Sequence, residues 1–191
     1  MKKNLLIGCS FLLIIGFISC GSEIKQNNQP AETVGWQQQF DEQLQLNGHR
    51  NWILVVDKAF PQQPGMHIIN TNEKLLPVLE TVLKKIGAST HVKPTIYNDA
   101  ELQFITDSLA PGADAYKQQL QKVLNGAHTQ PLLHDTVFVR MDKAAKLFSI
   151  TVLKTEEVIP YSSVFLELDC AYWSGEKEKI LRDKMKSVTN K

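Results

Sequence analysis

Trp52-Ile53-Leu54-Val55-Val56 is a run of five apolar residues with no polar break. Strand side chains alternate between two faces, so a run of this kind is apolar on both and suits a central strand covered on both sides. The polar flanks of the run matter as much. Gly48-His49 stands before it and Asp57-Lys58 after it. His49 and Asp57 are eight residues apart, about 26 Å along a strand rising about 3.3 Å per residue. They meet only if the chain folds back before Trp52, or if two copies of the chain each supply one.

The rest of the chain alternates strand-like and helix-like patterns. Trp36, Phe40 and Leu44 recur every fourth residue in a helix expected to begin near Glu32, with Gly48 as its C-cap. Residues 58–65 carry Pro61, Pro64 and Gly65 and read as a loop before a short strand at His67-Ile68-Ile69. Thr71 can cap a helix that places Leu75, Leu79, Val82 and Ile86 on one face and stops at Gly87, with Pro77 delaying its start. Residues 91–97 read as a strand, 99–108 and 114–124 as helical, 136–140 as a strand and 142–148 as a short helix. Residues 149–153 read as extended, 163–171 as a last strand, and the charged stretch from Gly175 as a terminal helix or tail. Alternation of this kind argues for an α/β fold: a three-layer α/β/α arrangement around a mixed sheet.

The N-terminus has the pattern of a processed leader. Lys2-Lys3 precede an apolar run from Leu5 to Ile18 that ends in small residues around Cys20. The run is shorter than the roughly 20 residues of a spanning helix. Cys20 reads as the acylated residue of a lipobox. Residues 1–19 then form the lipoprotein signal peptide, 20–31 a polar tether, and 32–191 a single domain lipid-anchored in the cell envelope. Removing Lys2 and Lys3 takes the 21 basic residues below the 20 acidic ones, a balance that gives no support to nucleic-acid binding. Cys170 remains as a lone thiol without a disulfide partner, so the fold rests on its core, which a 43% hydrophobic composition can supply. No glycine-rich loop follows a strand, so nucleotide binding has no support. His67, His91, His128 and His134 lack metal-ligand spacing, and the last two read as loop residues. No cofactor is indicated.

Two segments resemble the ribose pyranase and fucose mutarotase (RbsD/FucU) family. One comprises Gly48-His49, Val55-Val56-Asp57 and Phe60-Pro61. The other is Pro160-Tyr161-Ser162-Ser163 opening the apolar Val164-Phe165-Leu166. The likeness runs in order from about His49 to Trp173. It implies an RbsD-like fold assembled as a homo-oligomeric ring, a monosaccharide ligand, and isomerase chemistry in which the sugar ring opens and recloses. His49 and Asp57 are the implied catalytic pair, and Tyr161 and Ser163 the implied substrate-binding residues. Imidazole can give or take a proton at neutral pH, and a carboxylate can orient it or hold a sugar hydroxyl. Ser163 stands where the family carries Asn and offers a shorter reach. Lys58 follows Asp57 where the family has a small residue and could pair with it. Ala144 stands where some pyranases carry a further histidine, after the strand matched to 137–140. The alternatives are a carbohydrate-binding module without turnover and a structural envelope lipoprotein on the same fold.

Cys20→Ala is expected to abolish acylation and leave the leader uncut. Intact mass and detergent partitioning test this, and an unchanged acylated mass would remove the lipobox reading.

Overall fold

The computed structural model describes residues 34–189. Cys20 and the leader and tether assigned to 1–31 lie outside them. The elements are α1 (Trp36–Leu46), β1 (Trp52–Val56), β2 (Met66–Asn70), α2 (Leu75–Ala88), β3 (Val92–Asp99), a 3₁₀ turn (Ala100–Phe104), α3 (Ala113–Leu124), β4 (Thr129–Leu132), α4 (His134–Ala145), β5 (Ile150–Lys154), β6 (Val164–Cys170) and α5 (Gly175–Thr189). The six strands form one mixed sheet in the order β2-β5-β1-β6-β3-β4. β2, β5 and β1 are parallel, β6 runs antiparallel between β1 and β3, and β4 lies parallel to β3 at the edge.

The apolar run forms β1, and all five of its residues are buried. Alternation splits them between two cores. Ile53 and Val55 join Phe40, Leu79, Val82, Tyr116 and Leu120, so α1, α2 and α3 cover that face. Trp52, Leu54 and Val56 join Ile150, Val152 and Phe165 under Val137 and Met141 of α4. The α/β fold with helices on both faces of a mixed sheet is therefore the one expected.

The pattern reading differs from the structure in several places. Residues 136–140 are not a strand, and no separate helix covers 142–148: 136–145 belong to α4, which ends at Ala145. Thr136, Val137 and Val139 have strand-like composition, but Val137 and Met141 lie one turn apart and bury together while Val139 stays exposed. That is helical periodicity, and packing against the sheet overrides β-branched preference. The strand at this point is β4, whose Thr129-Gln130-Pro131-Leu132 is half-exposed. Pro131 is tolerated there because β4 is an edge strand. The helical reading of 99–108 shrinks to one 3₁₀ turn. α1 ends at Leu46 with Asn47 as C-cap, so Gly48 is not the cap. α2 starts at Leu75, with Pro77 in its first turn, where a missing N–H costs nothing.

The two cores are expected to carry the stability. Phe165→Ala removes a fully buried ring from β6 and should cost about 3–5 kcal/mol. Leu46→Ala, at an exposed position, should stay within about 0.5 kcal/mol. Urea denaturation distinguishes the two, and equal midpoints would contradict this core assignment.

Candidate functional site

The strand register decides which chemical groups meet. Val164, the first residue of β6, pairs with Val55 on one side and Asn98 on the other. The carboxyl ends of β1 and β3 therefore flank the amino end of β6. Asp57 follows β1, Asp99 ends β3, and Ser162-Ser163 lead into β6 between them.

Asp57 and Ser163 are tied together. The Ser163 hydroxyl donates to Asp57 Oδ2 at 2.9 Å and accepts the Asp57 backbone N–H at 3.2 Å. Asp57 Oδ1 accepts the Ala59 N–H at 2.8 Å, fixing the turn after the strand. Lys58 pairs with Glu156 instead of Asp57. Ser162 is buried, its carbonyl accepting the Tyr116 phenol at 2.8 Å while its own hydroxyl lacks a protein partner. Burial pushes the Tyr116 phenol above its ordinary range, so it serves here as a hydrogen-bond donor.

Asp99 is the other half of the cluster. Its residue exposure is 0%. Oδ1 lies 3.1 Å from His134 Nδ1, and Oδ2 is buried with no partner among the described residues. His134 opens α4. Its backbone N–H donates to both carboxylate oxygens of Glu101, at 3.1 and 3.2 Å, so Glu101 satisfies an otherwise orphaned donor of the helix start. The His134 ring sits 4.7 Å from the Phe138 ring and meets Tyr161 edge-on at 5.3 Å. Phe138 stacks in turn on Phe60 at 5.7 Å. Tyr161 holds φ at 59°, a left-handed conformation uncommon for a large side chain.

Burial pushes the Asp99 carboxyl up to about 6, with nearby Glu101 and Asp57 adding to the rise and His134 opposing it. The raised carboxyl can therefore carry a proton closer to neutral pH than an exposed aspartate can, at hydrogen-bond distance from the His134 ring. The other ring nitrogen of His134 makes no hydrogen bond among the described residues, and the side chain is 39% exposed. The arrangement can pass a proton between a buried carboxyl and an outward-facing imidazole, beside a second carboxylate held by a serine.

Asp57, Tyr161 and Ser163, picked out from the sequence, lie at this end of the sheet. His49 lies at the other end of β1. Its Nδ1 is 3.0 Å from Asp169 Oδ1 near the end of β6, and its Nε2 accepts from Arg50 Nε at 3.3 Å. Within one chain it does not meet Asp57. Asp99, Glu101 and His134 were not picked out. Asp99 is the last residue of β3, whose sequence Val92–Asp99 carries Lys93, Pro94, Thr95 and Asn98 and so has no apolar run to mark its end. His134, expected in a loop, is the first residue of α4, and Ala144, expected to follow a strand, lies in the same helix because 137–140 is helical. Among the described residues no three His, Cys, Asp or Glu side chains are grouped to hold a metal ion.

No protein-family model matches the chain, and no curated protein does. Solved structures with a similar chain path include RbsD from Bacillus subtilis complexed with D-ribose, at 15% identity and a TM-score of 0.48 over 68% of this chain and 89% of that one. The fucose mutarotase from Streptococcus pneumoniae in complex with L-fucose gives 16% and 0.46 over 76% and 96%. FucU from Bifidobacterium longum gives 13% and 0.46 over 68% and 92%.

The raised Asp99 value makes stability depend on pH. The folded value of about 6 lies above the ordinary 3.8, so the folded chain holds this proton more tightly than the unfolded one. The stabilisation is fully present below the ordinary value and is lost as pH rises through about 6. Asp99→Asn cannot ionise. Its stability relative to the native chain should rise between about pH 4 and pH 7, by up to about 3 kcal/mol at 1.36 kcal/mol per pH unit. Urea midpoints at the two pH values measure this, and a pH-independent difference would contradict the raised carboxyl.

Proposed function

We propose that this chain opens and recloses the ring of a free monosaccharide, interconverting anomers or pyranose and furanose forms. The observation that carries the reading is the Asp99–His134 pair beside Asp57, Ser163 and Tyr161 on one strand edge. The motif resemblance around Asp57 and Tyr161 points the same way. Ring opening moves two protons. A base takes the anomeric hydroxyl proton, the bond from C1 to the ring oxygen breaks, a carbonyl forms at C1, and an acid protonates the ring oxygen. Reclosure reverses each step. Acid and base must exchange roles at one pH, which suits groups that titrate close together.

In this reading the outward nitrogen of His134 exchanges the proton with the sugar, and Asp99 holds the imidazole in the matching tautomer. Asp57 accepts a sugar hydroxyl, with Ser163 fixing its rotamer, and Tyr161 donates its phenol. His49 enters from a neighbouring copy. A homo-oligomeric ring would bring the His49 end of one chain to the Asp57 end of the next. Anchoring through acylated Cys20 would hold the assembly at the cell envelope, with no cofactor required.

His134→Ala should slow exchange by about 10²–10⁴-fold, and Tyr161→Phe should weaken sugar binding by about 0.5–1.5 kcal/mol. The readout is saturation transfer between anomer signals of ribose, fucose and galactose, with folding checked by circular dichroism. Co-refolding His49→Ala with Asp57→Asn tests the shared site. Random mixing restores an intact pair in about a quarter of shared sites, whereas a site within one chain recovers nothing. Saturable binding without exchange in the native chain would replace the enzyme by a carbohydrate-binding module, and absence of both would leave only a structural role for the fold.

A further inference from the structure

One cavity beside α4 does not lie over the carboxylates. It is a groove of about 410 Å³ at the opposite end of the sheet, lined by Arg50, Trp52, Arg140, Lys143, Phe148 and Glu167 among others. Its size falls within the range of small-molecule sites. Trp52, at the start of β1, contributes to the floor, stacked on Tyr97 at 5.6 Å and 18°. Phe148 contributes to an aromatic wall.

Charge is distributed unevenly around this apolar floor. The Arg140 guanidinium lies 5.2 Å from the Tyr97 ring centre, and that of Arg50 lies 5.8 Å from the Phe148 ring centre. Arg50 donates to His49, and Lys143 projects from the last turn of α4. None of the three cations has a carboxylate within ion-pair distance among the described residues. The one carboxylate of the lining, Glu167, accepts the Tyr97 phenol at 3.0 Å. Among the described residues some lysines elsewhere pair with acids, as Lys58 does with Glu156 and Lys85 with Asp41, and others, Lys122 among them, do not. The groove therefore holds three cations and one carboxylate, Glu167, which is engaged by Tyr97.

We propose that this groove is a binding site for a small anionic molecule with a planar apolar body. Its ring would lie against Trp52 and Phe148, and its phosphate or carboxylate group would lie between Arg140, Lys143 and Arg50. Guanidinium forks match both anions in a bidentate manner, and the partly exposed Phe148 ring, with only the edge of buried Trp52 beneath, gives a flat body a face to lie on. The groove lies at the end of the sheet opposite the Asp99–His134 cluster of the same chain and borders His49 through Arg50, and aryl-anion binding is read without any sugar present.

Calorimetric titration of the full chain with phenyl phosphate and with benzoate tests this, using phenol and inorganic phosphate as the separate halves. At least one aryl anion should bind saturably, and at least about tenfold tighter than either half, with affinity falling as salt rises. The tighter of the two identifies the anion class. Arg140→Gln and Lys143→Gln should each weaken it by about tenfold, the loss of one charge-assisted hydrogen bond, while Lys122→Gln, outside the groove, should leave it unchanged. Arg50→Gln, on the loop before β1, supplies a third variant if a change on α4 disturbs folding. No saturable binding by either aryl anion would overturn the proposal. So would phenol binding as tightly as the anions, or equal losses in Lys122→Gln and the groove variants.

Discussion

The candidate site depends on one strand inserted in one direction. β6 runs antiparallel between β1 and β3, and its first residue, Val164, is in register with Val55 on one side and Asn98 on the other. Parallel insertion would carry the start of β6 to the opposite edge and leave the two aspartates flanking the wrong end. Antiparallel insertion puts Ser162 and Ser163 between Asp57 and Asp99, on the edge where β4 delivers α4 and its leading histidine. The apolar contacts that hold β6 there, Phe165 on one face and Leu166 on the other, belong to the two separate cores. The acid–base cluster is therefore as rigid as the packing on both sides of the sheet.

Burial then sets the chemistry. A fully buried carboxyl with one unpartnered oxygen is costly to ionise, and two further carboxylates nearby raise that cost. A single imidazole offsets it from one side. The fold retains an arrangement that a purely structural aspartate would not need, since an apolar residue at the end of β3 would avoid the cost. The same helix that carries His134 at its first turn carries Arg140 and Lys143 at its last two. α4 thus links two surfaces of opposite character: carboxylates at its amino end, unmatched cations at its carboxyl end.

Much of the architecture is legible in local pattern. β1 announces itself by five apolar residues, and β5, β6, α2 and α3 follow from alternation or helical spacing. β4 and α4 do not, because Pro131 disguises an edge strand and β-branched residues disguise a helix whose buried face holds only Val137 and Met141. The site divides along the same line. Asp57 draws notice as a carboxylate at the end of an apolar strand, while Tyr161 and Ser163 draw notice only through the family resemblance, and the structure places all three at one end of the sheet. Asp99 and His134 are 35 residues apart, and their pairing exists only once β4 lies parallel to β3. His49 shows the converse: it is close to Asp57 in sequence, and β1 itself holds the two apart.

The central claim is that Asp99 is a buried acid held against His134, and the most direct measurement is a carboxyl ¹³C titration of Asp99. The account predicts a midpoint near 6. A midpoint near the ordinary aspartate value of about 3.9 would contradict it.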